Sequence, residues 1–334
     1  MARRPTRSSL SICFVPLSYF TLSPFALMID ALRLAADEGD GSRQIRCKWT
    51  VMASSWEPIR ASCGTRVSPL EVFCDPHRFD YVAICGGLRS SASQANQSTL
   101  SFMRRAADVG VCLIGVCTGV FELARAGLMT GRRCAVSWFH HREMVTEYPG
   151  VTPMTDQLFV VDGNRITSAG GSGAGDLGAW LVRKHCGSAV AQKSLHLLQM
   201  DKGRSPDAPQ PQPPGWSYTP NIFVRKALLL MEANLSELAS VGEIAAQLKI
   251  SVRHLERCFK VHIGTSPRQM LIRMRLRRAR YLLGNSPRNV TAIAQEVGFS
   301  DLAHFSRSFL KEFSVRPSKA RGPNGLMQAQ GRIY

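Results

Sequence analysis

The sequence predicts an α/β domain, a parallel-sheet sandwich of the flavodoxin-like type, followed by an all-α domain with two helix-turn-helix units. Three observations lead to this fold class. Residues 11–200 alternate short apolar runs with helical patterns, which is typical of a parallel sheet covered by helices on both faces. Five prolines then interrupt the pattern within 201–216. From about Thr219 onward the pattern is wholly helical, and it repeats once.

Six apolar runs are predicted strands, because they are short and end in glycine or small residues. In chain order they are SICFVPL, CKWTVMA, DYVAICGG, VCLIGVC, LFVVDG and RITSAGG. Four segments with apolar residues at i, i+3 and i+4 are predicted helices: LSPFALMIDALRLAADEG, QSTLSFMRRAADVG, GVFELARAGLM and WFHHREMVTEYPG. Ligands of such a sheet bind beyond the carboxyl ends of the strands. Here those ends are Gly86-Gly87, Cys117-Thr118-Gly119 and Gly170-Gly171.

The domain boundaries follow from the same pattern. The expected parts are a basic tail at 1–10, the α/β domain at 11–200, a Pro-rich linker or surface arm at 201–218, the all-α domain at 219–322 and a tail at 323–334. The first twenty residues do not resemble a signal peptide, because Pro16 and Ser18 break the apolar run. No segment approaches the ~18–20 consecutive apolar residues of a membrane span.

The charge of the chain is strongly basic and unevenly placed. There are 42 Lys+Arg and 24 Asp+Glu, a formal net charge of +18. From Tyr218 onward 19 Lys+Arg and 7 Asp+Glu contribute +12 of it. This excess favours an anionic partner, and we expect double-stranded DNA rather than a membrane. The ten cysteines form no CxxC pair and no zinc-type spacing, which predicts a cytoplasmic protein without a metal or cofactor.

Two similar segments make up most of the all-α domain: VGEIAAQLKISVRHLERCFKVHIGTSP and NVTAIAQEVGFSDLAHFSRSFLKEFSVRP. Each reads as a helix, a tight turn, a serine N-cap (Ser251 or Ser300) and a second helix, which is the order of a helix-turn-helix unit. The early polar residues of the second helices are predicted to enter the major groove. Two solvated helical hairpins are the alternative interpretation.

The helix that connects the two units, SPRQMLIRMRLRRARYLL, carries five arginines: Arg273, Arg275, Arg277, Arg278 and Arg280. At ~100° per residue they spread around the helix, so some are expected to contact phosphate and others to pack or pair internally. The predicted DNA-binding residues are Ser251, Arg253, His254, Arg257, Arg273, Arg277, Ser300, Asp301, His304, Ser306 and Arg307.

The segment AIAQEVGFSDLAHFSRSFLKEFSVRPSKAR resembles the signature of the AraC/XylS family of transcription regulators, and the resemblance covers roughly 219–322. It implies two recognition helices that enter successive major grooves on one face of DNA. The sequence departs from the family near Ala303 and His304, where an aromatic residue is usual. It also has Ser318 after Pro317, where Tyr or Arg is frequent. The base preference of the family is therefore not carried over.

Residues 11–190 resemble hydrolases of the PfpI type, which place a nucleophilic cysteine at a strand-to-helix turn. In GVCTGVFELA the helix N-terminus and its N–H groups would stabilise a Cys117 thiolate or bind a carboxylate. The relatives commonly have histidine directly after the cysteine and a His-Trp pair later in the chain. Here these positions hold Thr118 and Ser137-Trp138.

Other groups could supply the missing base and acid. His140 and His141 follow shortly after Ser137 and are expected to face elsewhere, and Asp30 of the first helix could equally be a surface or capping residue. Without a base, catalysis loses a contribution of ~10²–10⁴-fold. A small buried thiol and a pocket residue without chemistry are therefore alternatives to a nucleophilic Cys117.

The combination of both domains resembles the GlxA subfamily of transcription regulators. FVPLSYFTLSPFALMIDALRLA, SAGGSGAGDLGAWLV and LLLMEANL fit its layout. The resemblance implies a sensor that kept the pocket and lost the chemistry, with an amino acid or quaternary amine such as arginine, glycine betaine or carnitine as the small-molecule effector. A homodimer through the N-terminal domain is expected, with RNA polymerase as a further partner.

The ligand site expected from these residues combines backbone N–H groups beside Cys117 for a carboxylate with an aromatic wall for a cationic head. Phe139 is a further wall candidate, and core packing is the alternative for each aromatic residue. The predicted ligand-binding residues are Phe20, Gly86, Gly87, Cys117, Thr118, Gly119, Ser137, Trp138 and Gly170.

Two rival functions remain beside the regulator. The first is a cysteine-dependent hydrolase or amidotransferase with Cys117 as nucleophile, whose basic domain only localises it. The second is a structural nucleic-acid-binding protein, which would respond to no ligand. A ligand that is bound and recovered unchanged separates the regulator from both.

Overall fold

A seven-stranded sheet forms the centre of the first of two units. The computed structural model describes residues 9–211, 219–236 and 240–320, and the boundary between the units lies between Gln210 and Pro211. All six predicted strands are present. The strands are β1 (Leu10–Pro16), β2 (Cys47–Ala53), β3 (Ile59–Arg60), β4 (Arg66–Val67), β5 (Glu71–Val72), β6 (Tyr81–Cys85), β7 (Cys112–Val116), β8 (Arg133–Ala135), β9 (Thr152–Met154), β10 (Phe159–Asp162) and β11 (Arg165–Ser168).

The strand order places β1 in the interior of the sheet. It also creates a topological switch point, where successive parallel strands are added on opposite sides of β1. The order is β10-β11-β7-β6-β1-β2-β5. From β1 the chain passes to β2 on one side and later to β6 on the other, both in parallel register. Pro16 and Cys85 are register partners at the carboxyl ends of β1 and β6. The loops that follow these two ends are hydrogen-bonded to each other, because the N–H of Thr21 donates to the carbonyl of Gly86 at 3.0 Å and the N–H of Leu88 donates to the carbonyl of Tyr19 at 3.0 Å.

One strand departs from the parallel arrangement that the sequence predicts. β10 pairs antiparallel with β11, with Asp162 opposite Arg165. The reason is the length of the connection, because Gly163 and Asn164 are too few residues for a crossover and form a hairpin turn. Gly163 has a φ of +60°, the left-handed region that such a turn favours.

Helices cover both faces of the sheet. They are α1 (Leu22–Ala35), α2 (Gln97–Asp108), α3 (Gly119–Arg125), α4 (His141–Glu147), α5 (Gly173–Cys186) and α6 (Ser188–Leu197). Side chains of β1 alternate between two buried clusters, as expected for a strand inside a covered sheet. Phe14 belongs to the same buried cluster as Met28 of α1 and Leu177 of α5, whereas its neighbour Val15 belongs to the cluster that contains Phe102 of α2.

Helix α5 was not among the predicted helices, because its glycines weaken the helical pattern. The structure explains one of them by close packing. A Cβ atom on Gly178 would lie 2.8 Å from the Cβ atom of Ala31 in α1, so a side chain there would push the two helices apart.

The first residues of the segment predicted as a linker or surface arm lie on the surface of the first unit, as a surface arm. Arg204 donates from Nε and Nη2 to Oδ2 of buried Asp176 at 3.0 and 2.7 Å, and Leu158 N donates to the carbonyl of Ala208 at 2.9 Å. These contacts hold the arm on the first unit. Residues 212–218 of the predicted linker lie outside the described residues, as do residues 1–8 of the predicted basic tail and the whole predicted tail at 323–334.

The second unit is helical. Its helices are α7 (Ile222–Ala233), α8 (Val241–Gln247), α9 (Val252–Ile263), α10 (Pro267–Asn285), α11 (Val290–Glu296) and α12 (Leu302–Phe313). One cluster joins α7, α8 and α9 to the start of α10 through Phe259 and Met274. A second joins α11 and α12 to the end of α10 through Phe305 and Leu283. The two predicted helix-turn-helix units therefore share α10.

Candidate ligand site and nucleic-acid interface

Cys117 lies at a tight turn between β7 and α3, as the sequence predicts. Its φ is +56°, a left-handed conformation that costs a non-glycine residue about 1–2 kcal/mol. The backbone N–H of Cys117 donates to the carbonyl of Ser168 at 2.9 Å. Gly170 approaches so closely that a Cβ atom there would lie 2.9 Å from that of Cys117. Gly86 likewise touches Gly119, so the loops after β6, β7 and β11 meet at one edge.

The Cys117 thiol lies in surroundings that favour its neutral form. Burial raises the pKa of this thiol, and hydrogen bonds from the Thr21 hydroxyl and the Thr118 N–H offset the shift only in part. Thr21 Oγ1 is 3.8 Å from Cys117 Sγ. Neither threonine is a base. A buried, protonated thiol is a poor nucleophile at neutral pH.

The histidines that follow Ser137 have other roles. Ser137 Oγ accepts from the N–H of Phe139 and caps a short 3₁₀ turn. His140 Nδ1 lies 3.0 Å from Glu143 Oε2. Nδ1 of His141 is buried without a hydrogen-bond partner among the described residues, and burial lowers the pKa of this histidine. The acid candidate Asp30 pairs with Arg33 on α1 at 3.0 Å.

The aromatic residues predicted for the pocket wall occupy unlike environments. Phe20 is 0% exposed, and its ring packs edge-on against Phe25 at 5.0 Å, so it has a core position. Trp138 is partly exposed and packs against the exposed ring of Phe139 at 5.8 Å. The structure therefore does not bring Phe20 and Trp138 together as one wall.

A cavity of about 380 Å³ opens beside the switch point, on the Thr118 side of the turn. Three of the nine predicted ligand-binding residues line it: Gly86, Gly87 and Thr118. Thr118 Oγ1 donates to the carbonyl of Gly87 at 3.0 Å and holds the two loops together. Cys117, Gly119, Ser137, Trp138 and Gly170 are not in its lining.

The cavity also contains charged residues that the sequence did not single out. Arg89 lies between Glu143 and Glu147 of α4, with its guanidinium carbon 3.6 Å from the ring centroid of Phe121. Arg89 follows Gly87 by two positions, and the two glutamates have i, i+4 spacing. These two features are the only ones in the sequence that indicate a charged cavity here. They are weak indications, because the distance between α4 and the Arg89 loop is set only by folding.

The second helix of the first helix-turn-helix unit begins as predicted. Ser251 is the N-cap of α9, and its Oγ accepts from the N–H of His254 at 3.2 Å. Arg253 and Arg257 are exposed. His254 is only half-exposed, with Nδ1 3.1 Å from Arg257 Nη2 and its ring against Phe223. It therefore orients Arg257 within the unit.

The second helix of the other unit begins one residue later than predicted. Asp301, not Ser300, is the N-cap of α12, since its carboxylate accepts from the N–H of Ala303 at 2.8 Å. A carboxylate at a helix N-terminus also interacts favourably with the helix dipole. His304 and Arg307 are exposed, and Ser306 is half-exposed. Asp301 thus has a capping role that the prediction of a base contact did not include.

The arginines of α10 divide as expected between surface and interior. Arg277 is exposed. Arg273 is also exposed, and its Nε lies 3.6 Å from Glu312 Oε2 of α12. Arg275 is half-buried and donates from Nε to the carbonyl of Leu235 at 2.7 Å.

Two further searches concern only the described part of the chain. Within it, no group of three or more His, Cys, Asp or Glu side chains could hold a metal ion. None of its helices combines the length and apolar character needed to cross a bilayer.

Both halves of the chain match known families. Residues 28–184 match the DJ-1/PfpI family, and residues 244–322 match a helix-turn-helix domain family. A solved structure of a ThiJ/PfpI family protein from Pseudomonas syringae is 20% identical, with a TM-score of 0.50 over 73% of this chain and 90% of that one. This likeness shows the fold of the α/β unit.

Relatives that span nearly the whole chain are transcription regulators. The regulator GbdR of Pseudomonas aeruginosa is 30% identical over 323 residues, which are 96% of this chain and 87% of GbdR. The regulator GlxA of Rhizobium meliloti is 27% identical over 97% of this chain and 99% of GlxA. These relatives support a regulator rather than an enzyme. The chain belongs to the HTH-type transcription regulators that join a DJ-1/PfpI domain to an AraC-type DNA-binding domain.

Proposed function

We propose that this regulator responds to a small nitrogenous metabolite, an amino acid or a quaternary amine, bound in the DJ-1/PfpI domain and released unchanged. It binds double-stranded DNA sequence-specifically in the cytoplasm, and both helix-turn-helix units contact the DNA. The family resemblance supports the class of effector. A relative named ArgR, 32% identical over 66% of this chain, is in accord with it.

The cavity beside the switch point carries this proposal. It lies in the unit that does not hold the helix-turn-helix domain, and its lining combines carboxylates, guanidinium groups and hydroxyls. A volume of about 380 Å³ is within the usual ~300–1,000 Å³ of small-molecule sites. Charged groups of both signs suit a small polar metabolite better than an apolar one.

The surroundings of Cys117 support binding without conversion. The pKa of the thiol is raised by burial, and its hydrogen-bond partner Thr21 cannot accept the proton as a base does. The turn that could hold a nucleophile therefore serves to position Thr118 beside the cavity. Bound effector would act by its different affinity for two conformations of the regulator.

A homodimer formed by the DJ-1/PfpI domains completes the proposal. Two linked DNA-binding domains bind paired operator sites more tightly than one, without any additional base contact. RNA polymerase is the expected partner at the promoter. The oligomeric state is measured by light scattering of the intact chain, and a monomer at micromolar concentration with and without DNA would contradict this part.

The test begins with DNA selected from a random pool by the intact protein. Operator affinity is then measured by fluorescence anisotropy with and without amino acids, betaines, carnitine and polyamines, while thermal unfolding is followed in parallel. A native-state ligand at a hundredfold excess over Kd stabilises by about 2.7 kcal/mol. We expect a stabilising compound to change operator binding and to be recovered intact. A compound that is consumed, with activity lost in Cys117→Ser, would favour the hydrolase.

A further inference from the structure

We propose that Cys47 and Cys186 are a reversible dithiol–disulfide pair, in which Cys186 reacts with a hydroperoxide and Cys47 then closes the disulfide. The pair adds an oxidant-responsive site to the α/β unit, and it depends on neither the effector nor the cavity. Cys47 begins β2 at the amino end of the sheet, whereas Cys117 follows the carboxyl end of β7. The two cysteine sites therefore lie at opposite ends of the strands.

The fold brings together two cysteines that are far apart in the sequence. Cys47 is the first residue of β2 and Cys186 is the last residue of α5. Their Sγ atoms are 3.7 Å apart, although 139 positions separate the residues. Both are free thiols, since a disulfide bond is only about 2.05 Å long. The sulfur atoms must approach by less than about 2 Å to form that bond.

The two thiols differ in their access to solvent. Cys47 is 0% exposed and belongs to the buried cluster between the sheet and α1. Cys186 is partly exposed, and its chain neighbours His185 and Gly187 are exposed. A small oxidant dissolved in water therefore reaches the Cys186 sulfur first, with the Cys47 sulfur in contact behind it.

The surroundings of the pair assign a different role to each thiol. Hydrogen bonding with Cys47 lowers the pKa of Cys186, and the N–H of Leu10 and the charge of Arg46 act in the same direction, against burial. The same hydrogen bond and burial raise the pKa of Cys47. When Cys186 is neutral, its proton can be donated to the carbonyl of Arg46, 3.7 Å from Sγ. Since the thiolate is the nucleophilic form, Cys186 attacks the oxidant and Cys47 keeps its proton until the second step.

The reaction balances with the hydroperoxide as the only oxidant. The Cys186 thiolate attacks one peroxide oxygen, so that an S–O bond forms, the O–O bond breaks, and the leaving alkoxide or hydroxide takes a proton from water. The product is a sulfenic acid on Cys186. The Cys47 sulfur then attacks the Cys186 sulfur, an S–S bond forms, and the leaving hydroxyl takes the Cys47 proton and becomes water. Two thiols thus lose two electrons, which reduce the hydroperoxide to an alcohol, or to water, and a second water.

The disulfide would fasten the end of α5 to the start of β2. A cross-link stabilises a fold mainly by restricting the unfolded chain, and the effect increases with the length of the closed loop. The loop between Cys47 and Cys186 is long, at 139 positions. We therefore expect oxidation to raise the Tm of the α/β unit by at least about 4 °C. In a reducing cytoplasm the thiols are the resting form, and the disulfide forms only during exposure to an oxidant.

Peptide mapping of the intact protein tests the pair. The chain is fully reduced, freed of reductant, diluted so that disulfides between molecules are disfavoured, and exposed to a slight excess of hydrogen peroxide. Its peptides are then mapped by mass spectrometry without reduction, and the Tm is measured in parallel. We expect a peptide that links Cys47 to Cys186, a higher Tm, and the reversal of both by dithiothreitol, while Cys117 remains a thiol.

Variants separate the two roles. In Cys47→Ala no thiol closes the disulfide, so the Cys186 sulfenic acid should accumulate and give roughly tenfold more adduct with dimedone than in the wild type. In Cys186→Ala the disulfide should be lost and Cys47 should stay reduced. Cys63→Ser is the matched control, because the Cys63 thiol also has a lowered pKa but contacts the Thr65 hydroxyl at 3.6 Å. It should leave the yield of the disulfide unchanged.

The wild-type map decides even if Cys47→Ala is less stable than the wild type. Cys186 that stays reduced while Cys63 is oxidised, Cys186 oxidised to sulfinic acid without a disulfide, or a disulfide to another cysteine would overturn the proposal. A lower Tm of the oxidised form would overturn it too, because the native fold would then resist the bond. Each of these results leaves the regulator's response to an effector untouched, since that response is measured on the reduced protein.

Discussion

Arg275 Nε donates a 2.7 Å hydrogen bond to the backbone carbonyl of Leu235, so one arginine of the basic helix α10 belongs to the interior of its own domain. The guanidinium also packs on the turn of the second helix-turn-helix unit, where a Cβ atom on Gly298 would lie 2.8 Å from Nη2. Burial lowers the pKa of Arg275 from its usual value. The residue therefore links the segment after α7 to the turn before α12.

Replacing Arg275 by methionine is expected to destabilise the DNA-binding domain by about 1–3 kcal/mol, since the Leu235 carbonyl loses its donor. Urea unfolding of the intact chain, followed by far-UV circular dichroism, measures the change. Arg268→Met is the control, because Arg268 is exposed on the first turn of the same helix and its loss should stay within about ±0.5 kcal/mol. If the two variants had the same free energy of unfolding, the hydrogen bond from Arg275 to Leu235 would not stabilise the domain.

Arg253 is expected to contribute directly to operator binding, because it is exposed at the start of α9 just after the Ser251 cap. Arg253→Ala should weaken binding by about 1–3 kcal/mol, roughly 5- to 150-fold. Arg133→Ala removes the same charge from the other unit and should change affinity little. The salt dependence of binding shows whether Arg253 contacts a phosphate or a base. If it contacts a phosphate, the slope of log K against log salt concentration falls in magnitude by about 0.9 in the variant. If it contacts a base, the variant loses its base preference at one position of the operator.

The cysteines are expected to react with iodoacetamide in a definite order. Cys63 is exposed, and hydrogen bonding with the hydroxyl and the backbone of Thr65 lowers the pKa of its thiol. A hydrogen bond from Cys47, whose Sγ is 3.7 Å away, lowers the pKa of Cys186, whereas burial raises that of Cys117.

A lowered pKa means more thiolate at neutral pH, so Cys63 and Cys186 should be alkylated first as pH rises. Cys117, whose thiol has a pKa raised by burial, should react last of the three and only at the alkaline end of the range. Peptide mass spectrometry across pH 6 to 10 gives the order. If Cys117 were modified at pH 7 before Cys186, the assigned environments would be wrong and Cys117 would again be a candidate nucleophile.

Ser314→Gly is expected to stabilise the second unit by about 0.5–1 kcal/mol. Ser314 ends α12 with a φ of +58°, a left-handed conformation that glycine adopts more easily than serine. The corresponding residue after α9 is already glycine, Gly264, at a φ of +76°. Its change to alanine should destabilise by a similar amount, and thermal unfolding measures both. A loss of stability in Ser314→Gly would mean that the serine side chain contributes more than its backbone strain costs.

Much of the fold could be predicted because its signals are local. The six main strands and the paired helix-turn-helix pattern depend on neighbours within a few residues. The antiparallel direction of β10 and the helix α5 were not predicted, and the reasons are also local. The two-residue turn Gly163–Asn164 forms a hairpin instead of a crossover, and the glycines of α5 weaken its helical pattern.

The sequence by itself determined the two-domain organisation, the DNA-binding half and the turn that presents Cys117. Only the tertiary structure decided which side chains meet at the ligand cavity and which arginines face inward. Arg89 meets Glu147 although 58 positions separate them, and Arg275 meets Leu235 across 40. Helical and strand periodicities extend over a few residues, whereas the environment of a charge depends on segments that only folding brings together.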